Sequence, residues 1–280
     1  MEYKKIIVKK FNGETEEFDV EKLKNSLRRS QATEEEIEKI IKAVNPILHD
    51  GISSKTIYKK AHSQLRKYNR VSASKYSLKR AIFDLGPTGY PFERLISALL
   101  QHRGYKTAVG EIIQGNCVSH EVDVLAEKDG MAYTVECKFR SDPKAVINIK
   151  TPLYIHSRFL DIKAKWDSEA QRDSRLSQGW LVTNTRFSSD SIDYAKCVGL
   201  RLLSWDYPEN NGIKQNVDHY SLYPVTTLLH LTKQEKKQLI ENNVILTKEL
   251  YDNPEVMDRL GFPILKKAKV ISEIKTLCDY

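Results

Sequence analysis

Three ionisable side chains interrupt two otherwise apolar strands in the stretch HEVDVLAEKDGMAYTVECKFR. Asp123 lies between two valines, and Glu136 and Lys138 alternate with the apolar residues of the second strand. Because residues i and i+2 of a strand share a face, Glu136 and Lys138 point the same way, and Asp123 can lie opposite them on the paired strand. Neighbouring carboxylates repel each other unless a cation neutralises them, and oxygen ligands suit Mg²⁺. The pattern therefore predicts metal-assisted attack of water on a phosphate ester, with the ammonium group orienting the water or stabilising charge on the phosphate.

The same residues also fit a simpler structure. In a hairpin with one solvated face, Glu136 and Lys138 would form an exposed ion pair that contributes little to stability. The two strands alone leave both interpretations open.

The elements around these strands indicate how they are positioned. Asp129-Gly130 is a dipeptide favoured in tight hairpin turns, so the two strands are expected to pair directly. A helix with regularly spaced apolar residues precedes them, and a helical stretch over 151–172, the strand GWLVTN, a helix after Ser188 and the strand LRLLSW follow. This order predicts an α/β sheet with mixed strand directions.

This order of motifs resembles the PD-(D/E)XK nuclease core, and within it the Mrr-type restriction endonucleases. The resemblance covers residues 89–207 and rests on Glu93 in PFERLISALLQHRGY, Asp123 in HEVDVL, and the Glu-x-Lys of VECKF. The loop before Asp123 lacks the proline after which the motif is named.

The resemblance implies a role for each of these residues. Asp123 and Glu136 would be metal ligands together with the backbone carbonyl of Cys137, whose thiol would point into the core. Glu93 would be an outer ligand, and Lys138 would be the catalytic lysine. The implied cofactor is Mg²⁺ or Mn²⁺, and the implied partner is DNA.

The helical stretch after the lysine offers further candidate contacts. Tyr154 and Arg158 are four residues apart and share a helix face. Arg158, His156 and Lys165 are candidates for contacts with DNA phosphates, and each is equally compatible with an ordinary helix surface.

The N-terminal part is basic and helical after a predicted hairpin over residues 4–20 with Asn12-Gly13 as its turn. Between Asp50 and Asp84 every Lys, Arg, Asp or Glu residue is basic, within a chain whose formal net charge is +8. Such a run should attract phosphates, although a solvated helix face would look the same.

Three blocks of this part, VKKFNGETEEFDVEKLKNSL, DGISSKTIY and ASKYSLKRAI, resemble in order the signature blocks of the ATP-cone, a nucleotide-sensing domain. The resemblance covers residues 4–84 and implies ATP or dATP as an allosteric effector. Val8 would contact the adenine, and Glu16 would lie near the sugar or base. Three lysines would hold phosphates: Lys10, Lys22 and Lys79. A phenylalanine follows Lys10 where the family usually continues with arginine, and a cone that no longer binds nucleotide is the alternative.

The predicted fold is a multidomain α+β and α/β chain. Residues 1–88 would form the small helical ATP-cone with its N-terminal hairpin, and 89–224 a restriction-endonuclease-like mixed β-sheet flanked by helices. Residues 225–280 would form a small helical segment, in which LGFPILKKAKVI resembles the second helix of a helix-hairpin-helix module or serves as a plain cap. The Gly- and Pro-rich stretch 85–93 is the expected joint.

The composition bears on membrane association and on the role of the cysteines. No stretch approaches the roughly 20 apolar residues that a membrane span needs, so we expect no membrane partner and a cytoplasmic protein. The cysteines show neither a disulfide framework nor zinc-ligand spacing. They are Cys117, Cys137, Cys197 and Cys278.

These observations together predict a nucleotide-regulated, Mg²⁺-dependent DNA endonuclease, with a role in defence against foreign DNA by analogy. Coupling between sensor and nuclease also leads us to expect a homo-oligomer. Two alternatives stay open. One is a non-catalytic regulator that senses nucleotide and binds nucleic acid, and the other is a nuclease acting on RNA or branched DNA.

Overall fold

The computed structural model describes residues 6–10, 13–169 and 172–279 of the 280-residue chain. These residues divide into two compact units. Unit 1 takes the described residues of Met1–Lys79, Thr227–Thr232 and Pro263–Tyr280, and unit 2 consists of those of Arg80–Thr226 and Lys233–Phe262. In the part of the chain described, no helix is both long enough and apolar enough to cross a membrane.

Unit 1 begins with a short sheet and a group of helices. Strand β1 pairs antiparallel with β2 and parallel with β3, which gives the order β2-β1-β3. The predicted turn residue Asn12 lies outside the described residues. The strands are β1 (Ile7–Lys9), β2 (Thr15–Glu17) and β3 (Ile52–Ser53), and the helices are α1 (Val20–Arg28), α2 (Glu34–Val44), α3 (Ser54–Tyr68) and α4 (Arg70–Tyr76). Helix α5 (Leu78–Phe83) begins in unit 1 and continues into unit 2, which starts at Arg80.

Local capping explains where the first helices of unit 1 begin. The Asp19 carboxylate accepts hydrogen bonds from the backbone amides of the first turn of α1. Thr33 and Glu36 form a reciprocal capping box at the start of α2, which satisfies two amides that the helix itself leaves unpaired. The apolar faces of these helices, with Leu27 and Ile37 fully buried, form the core under β1.

Unit 2 is built around a five-stranded sheet with the order β10-β8-β6-β5-β4. Strands β6, β8 and β10 run parallel, whereas β5 pairs antiparallel with both β4 and β6. The sheet is therefore mixed, as predicted. Its strands are β4 (Lys106–Gln114), β5 (Ser119–Lys128), β6 (Met131–Lys138), β8 (Arg175–Thr183) and β10 (Arg201–Leu203), and a separate pair is formed by β7 (Val146–Ile147) and β9 (Arg186–Phe187).

The predicted hairpin turn between β5 and β6 is confirmed. Lys128 pairs with Met131, which leaves Asp129 and Gly130 as the two turn residues. Their φ angles are +52° and +71°, and a turn with both central residues in the left-handed region matches the twist of the paired strands.

Helices flank this sheet. Helix α6 packs against β4 and β5, α7 against β8, and α8 against β10. Phe159, Ile162 and Trp166 of α7 form an apolar cluster with the sheet residues Ile113 and Leu176. The helices are α6 (Tyr90–His102), α7 (Lys150–Ser168), α8 (Ser189–Val198) and α9 (Ile213–Tyr220).

The C-terminal part is helical, as predicted. Helices α10 (Lys233–Glu241), α11 (Thr247–Asp252) and α12 (Glu255–Arg259) belong to unit 2, whereas α13 (Ile264–Cys278) belongs to unit 1 and packs against α4. The segment therefore does not form a single compact unit of its own.

Candidate functional site

Glu136 and Lys138 lie on the same side of β6 and form an ion pair, with 3.2 Å between Lys138 Nζ and Glu136 Oε2. The Glu136 side chain is only 4% exposed and that of Lys138 is 28% exposed. The alternative of two solvated side chains is therefore wrong for Glu136. A buried carboxylate needs partners, because burial without them favours the neutral acid.

Asp123 lies on β5 beside Glu136, one step beyond the Val124–Val135 pair. Its Oδ2 accepts a hydrogen bond of 2.6 Å from the backbone amide of Cys137. Burial, followed by the negative charge of Asp123, raises the pKa of Glu136, while Lys138 acts in the opposite direction. The β5–β6 pairing thus brings the two predicted carboxylates together.

Arg158 of α7 is the second cation on Glu136. Its Nη1 lies 2.8 Å from Glu136 Oε2, its Nη2 donates to the backbone carbonyl of Glu121, and its side chain is 13% exposed. The guanidinium also lies 5.6 Å from the centre of the Tyr154 ring. The predicted shared face of Tyr154 and Arg158 is correct, but Arg158 is directed to the acidic cluster.

The other two candidates of α7 are also engaged within the protein. His156 Nδ1 is 2.9 Å from the Tyr194 hydroxyl, and Lys165 pairs with Glu169 at 3.7 Å. Sequence reasoning named Arg158 only for DNA contacts. The four-residue spacing gave its helix face but no information about its partner.

Glu93 of α6 approaches the same cluster. Burial, followed by the negative charges of Asp123 and Glu121, raises the pKa of Glu93 to about 7, and Glu136 adds to this effect while Lys138 opposes it. Glu93 therefore titrates near neutral pH, where a carboxyl group can both hold and release a proton.

Cys137 is buried, and burial raises the pKa of its thiol well above its usual range. Its backbone amide donates a hydrogen bond to Asp123. This arrangement matches the expectation that the thiol belongs to the core.

The described residues contain no three His, Cys, Asp or Glu side chains grouped so that they could hold a metal ion. Glu136 is bonded to Lys138 and Arg158, and Asp123 to a backbone amide. The donor atoms are nonetheless all oxygens, and the negative charge of Asp123 raises the pKa of both Glu93 and Glu136, which is the electrostatic situation that a hard cation relieves. Metal binding by Glu93, Asp123, Glu136 and the Cys137 carbonyl stays a prediction.

A second candidate site lies in unit 1. Val8, Glu16 and Lys22 line a cavity of about 200 Å³ together with Tyr58 and Tyr76. The two tyrosine rings are stacked, with centroids 5.1 Å apart, and sequence reasoning did not identify them as part of the site. Their only signal was their position inside two of the signature blocks.

Glu16 holds the two nearest lysines of this site. Its Oε2 is 2.8 Å from Lys10 Nζ and 3.0 Å from Lys22 Nζ, and these bonds, that of Lys10 first, lower the pKa of Glu16. Lys79 is exposed on α5 and is not among the residues lining the cavity. Phe11, the departure noted in the first block, lies outside the described residues.

Comparison with known proteins finds a matching protein family at each end of the chain. Residues 6–83 match the ATP cone domain, which confirms the N-terminal resemblance, and residues 223–278 match the family described as AF1548-like, C-terminal. An uncharacterized protein of Archaeoglobus fulgidus is 34% identical over 181 residues, which are 64% of this chain and 98% of that protein. The chain belongs to the AF1548-like family.

Solved structures extend this result. The crystal structure of AF1548, a protein of unknown function, aligns at 33% identity and a TM-score of 0.56, over 69% of this chain and 99% of that one. MspJI restriction endonuclease in complex with a 27-mer oligonucleotide aligns at 12% identity over 71% of this chain and 41% of that one. Its TM-score of 0.32 is too low to indicate a common fold.

Proposed function

We propose that this protein is a nucleotide-regulated, Mg²⁺-dependent nuclease that hydrolyses phosphodiester bonds in DNA. The observation that carries the proposal is that Asp123, Glu136 and Lys138 lie side by side on two adjacent strands, with Glu93 of α6 near enough for the charges of Asp123 and Glu136 to raise its pKa. Bringing three acids close together does not stabilise a fold, because each acid raises the free energy of charging the others. Such a group of acids therefore indicates a functional site.

The side chains have separable roles in this reaction. Asp123 and Glu136, with the Cys137 carbonyl and Glu93, would hold Mg²⁺ or Mn²⁺, which when bound lowers the pKa of water and neutralises phosphate charge. Lys138 places its ammonium beside Glu136, where it can stabilise charge that develops on the phosphate. Glu93, with a pKa of about 7, can accept a proton from water near neutral pH.

Regulation by nucleotide rests on the ATP-cone. Val8, Glu16, Lys22 and the stacked tyrosines line the cavity of about 200 Å³, and Lys10 pairs with Glu16. We propose that ATP or dATP binds here and that the lysines leave Glu16 to contact its phosphate oxygens. Binding would change both the oligomeric state of a homo-oligomer and the rate of cleavage. A ligand shifts such an equilibrium only if its affinity differs between the two states.

The ion pair of Arg158 with Glu136 favours a second candidate function. A carboxylate held by arginine is less available to a metal, as expected of a non-catalytic regulator that senses nucleotide and binds nucleic acid. The intact set of acids and Lys138 favours the nuclease. A role in defence against foreign DNA is proposed only by analogy with Mrr-type enzymes, and it requires that the protein cleaves DNA.

Incubation of supercoiled plasmid with the full chain tests the proposal, with Mg²⁺ or Mn²⁺ and with or without ATP or dATP. We expect cleavage by the wild type and a loss on the order of a hundredfold or more in Lys138→Ala, because one charged stabiliser of the transition state is removed. Lys106→Ala, which changes an exposed lysine on β4, is the matched control and should cleave normally. If the wild type cleaves neither plasmid nor RNA nor branched DNA under any metal and nucleotide condition, the regulator is favoured instead.

A further inference from the structure

Unit 2 contains a polar cavity of about 650 Å³, and none of the residues proposed for the nuclease site lines it. It lies where the end of α6, the end of β5 and the start of β10 meet α9. It falls within the size range of small-molecule sites. Its lining residues are Arg103, Tyr105, Lys128, Arg201, Asn210, Asn211, Gln215, Asn216, His219 and Tyr220.

The charges of this cavity are all of one sign. Arg103, Lys128 and Arg201 line it, and no carboxylate is among the described lining residues. Burial, followed by the positive charge of Arg201, lowers the pKa of Arg103. Cations gathered without a counterion repel one another, and an anion is the partner that would relieve this repulsion.

The cations are held in place by neutral groups. Arg103 donates from Nε to Asn216 Oδ1 at 3.0 Å and from Nη2 to Asn211 Oδ1 at 2.8 Å. Lys128 Nζ donates to the Arg103 carbonyl at 2.8 Å, and the Arg201 guanidinium lies 4.4 Å from the centre of the Trp180 ring. The positive charges are thus held in place, and no carboxylate among the described residues that line the cavity balances them, which is preorganisation for an anionic ligand.

Asn216 is the anchor of this arrangement. It is 5% exposed, and its Nδ2 donates to the Gly212 carbonyl at 2.7 Å, which fixes the amide so that Oδ1 faces Arg103. Arginine presents several donors in one plane, a geometry that matches the oxygens of a phosphate.

The cavity is distinct from the acidic cluster. Lys128 and Asp123 belong to the same strand, five residues apart, so their backbones are separated by about 16 Å at roughly 3.3 Å per residue. A ligand in the cavity would therefore not be the phosphodiester held at Lys138.

We propose that this cavity binds the phosphate of a nucleotide, with Arg103, Lys128 and Arg201 on the phosphate and Tyr105 or Tyr220 beside the base. The tyrosine rings offer the apolar surface on which bases stack, and the amides of the lining can pair with base or sugar edges. The ligand is either a free nucleotide or one nucleotide of a nucleic-acid strand, which share this chemistry. The proposal is independent of nuclease activity and would hold for a regulator as well.

Calorimetry on the full chain tests the proposal in a Lys10→Ala, Lys22→Ala background, which weakens binding at the cone. The probes are inorganic phosphate, thymidine 5′-monophosphate, and oligothymidylates carrying either a 5′-phosphate or a 5′-hydroxyl group. Arg201→Gln removes one cation whose side chain is exposed. Arg172→Gln is the matched control, because the Arg172 guanidinium also lies over a tryptophan ring, 4.0 Å from the centre of Trp166.

We expect thymidine monophosphate or an oligothymidylate to bind, and Arg201→Gln to weaken binding roughly tenfold while Arg172→Gln leaves it unchanged, because only Arg201 reaches the cavity. A requirement for the 5′-phosphate on the oligomer identifies a strand end. Equal binding of both oligomers identifies an internal phosphate, and binding of the mononucleotide alone identifies a free nucleotide. No binding of any probe, or equal weakening by both substitutions, would overturn the proposal.

Discussion

Glu93→Gln is predicted to stabilise unit 2 at alkaline pH. The raised pKa means that the folded chain keeps the Glu93 proton up to about pH 7, whereas the ordinary value is 4.5. The folded state therefore binds more protons than the unfolded state across this window, so the free energy of unfolding falls as pH rises from about 4.5 to about 7. Glutamine cannot ionise and removes this loss.

The magnitude follows from the shift. At about 1.4 kcal/mol per pKa unit, the difference between 4.5 and about 7 sets an upper limit of roughly 3 kcal/mol. Glu93 is only half-buried, so water screens the neighbouring charges and about 1 kcal/mol is the expected gain at pH 8. Below about pH 4 the gain should vanish, because the acid is then protonated in both the folded and the unfolded state.

Tryptophan fluorescence is the appropriate assay. The chain has three tryptophans, at positions 166, 180 and 205, and all three belong to unit 2, as does Glu93. Urea unfolding should give a larger difference between variant and wild type at pH 8 than at pH 5, where the carboxyl group is still protonated in the folded state. Glu111→Gln, at an exposed position on β4, is the control and should change neither.

Added Mg²⁺ extends this experiment to the proposed metal site. If Glu93 is an outer ligand, Mg²⁺ at pH 8 should stabilise the wild type more than Glu93→Gln, because a ligand that binds only the folded state adds to its stability. A Glu93→Gln variant that is no more stable than wild type at pH 8, or equally more stable at both pH values, would refute the electrostatic account of the cluster.

Three further predictions concern the two sites. Cys137→Ala should lower the stability of unit 2 by about 1 kcal/mol or somewhat more in urea unfolding while the purified variant still cleaves, because the buried thiol only packs; loss of cleavage at unchanged stability would contradict this. Lys10→Ala with Lys22→Ala should abolish the response of oligomeric state and cleavage rate to ATP and dATP, measured by calorimetry and size-exclusion chromatography, and a wild type that binds no nucleotide at millimolar concentration would make the cone a structural relic. Arg158→Gln should tighten Mg²⁺ binding measured by calorimetry, since it frees Glu136 from one cation; unchanged affinity would show that the arginine does not compete.

Local patterns determined much of the fold. Asp129-Gly130 specified the β5–β6 turn because few residue pairs adopt two left-handed conformations in succession. Strand alternation then put Glu136 and Lys138 on one side of β6, and helix periodicity put Tyr154 and Arg158 on one side of α7. These features depend on neighbours within a few positions, so the order of residues contains them.

Contacts between distant segments were decided only by the tertiary structure. Nothing in the sequence near Arg158 indicates that it lies on Glu136, 22 residues away. Similarly, Arg103, Lys128 and Arg201 come from three separate elements, and each alone looks like an ordinary surface cation.

The C-terminal helix shows the same limit at the scale of domains. The spacing of its apolar residues predicts a helix, and the structure has helix α13 there. Its packing on α4 of unit 1 depends on which apolar face of another element it contacts, and the sequence does not give that partner. Burial, and the pKa of Glu93 that depends on it, likewise follow from how α6 and the sheet enclose the carboxyl group. Sequence periodicity determines which residues share a face, whereas the partner of that face, and therefore its dielectric surroundings and neighbouring charges, exists only once the chain has folded.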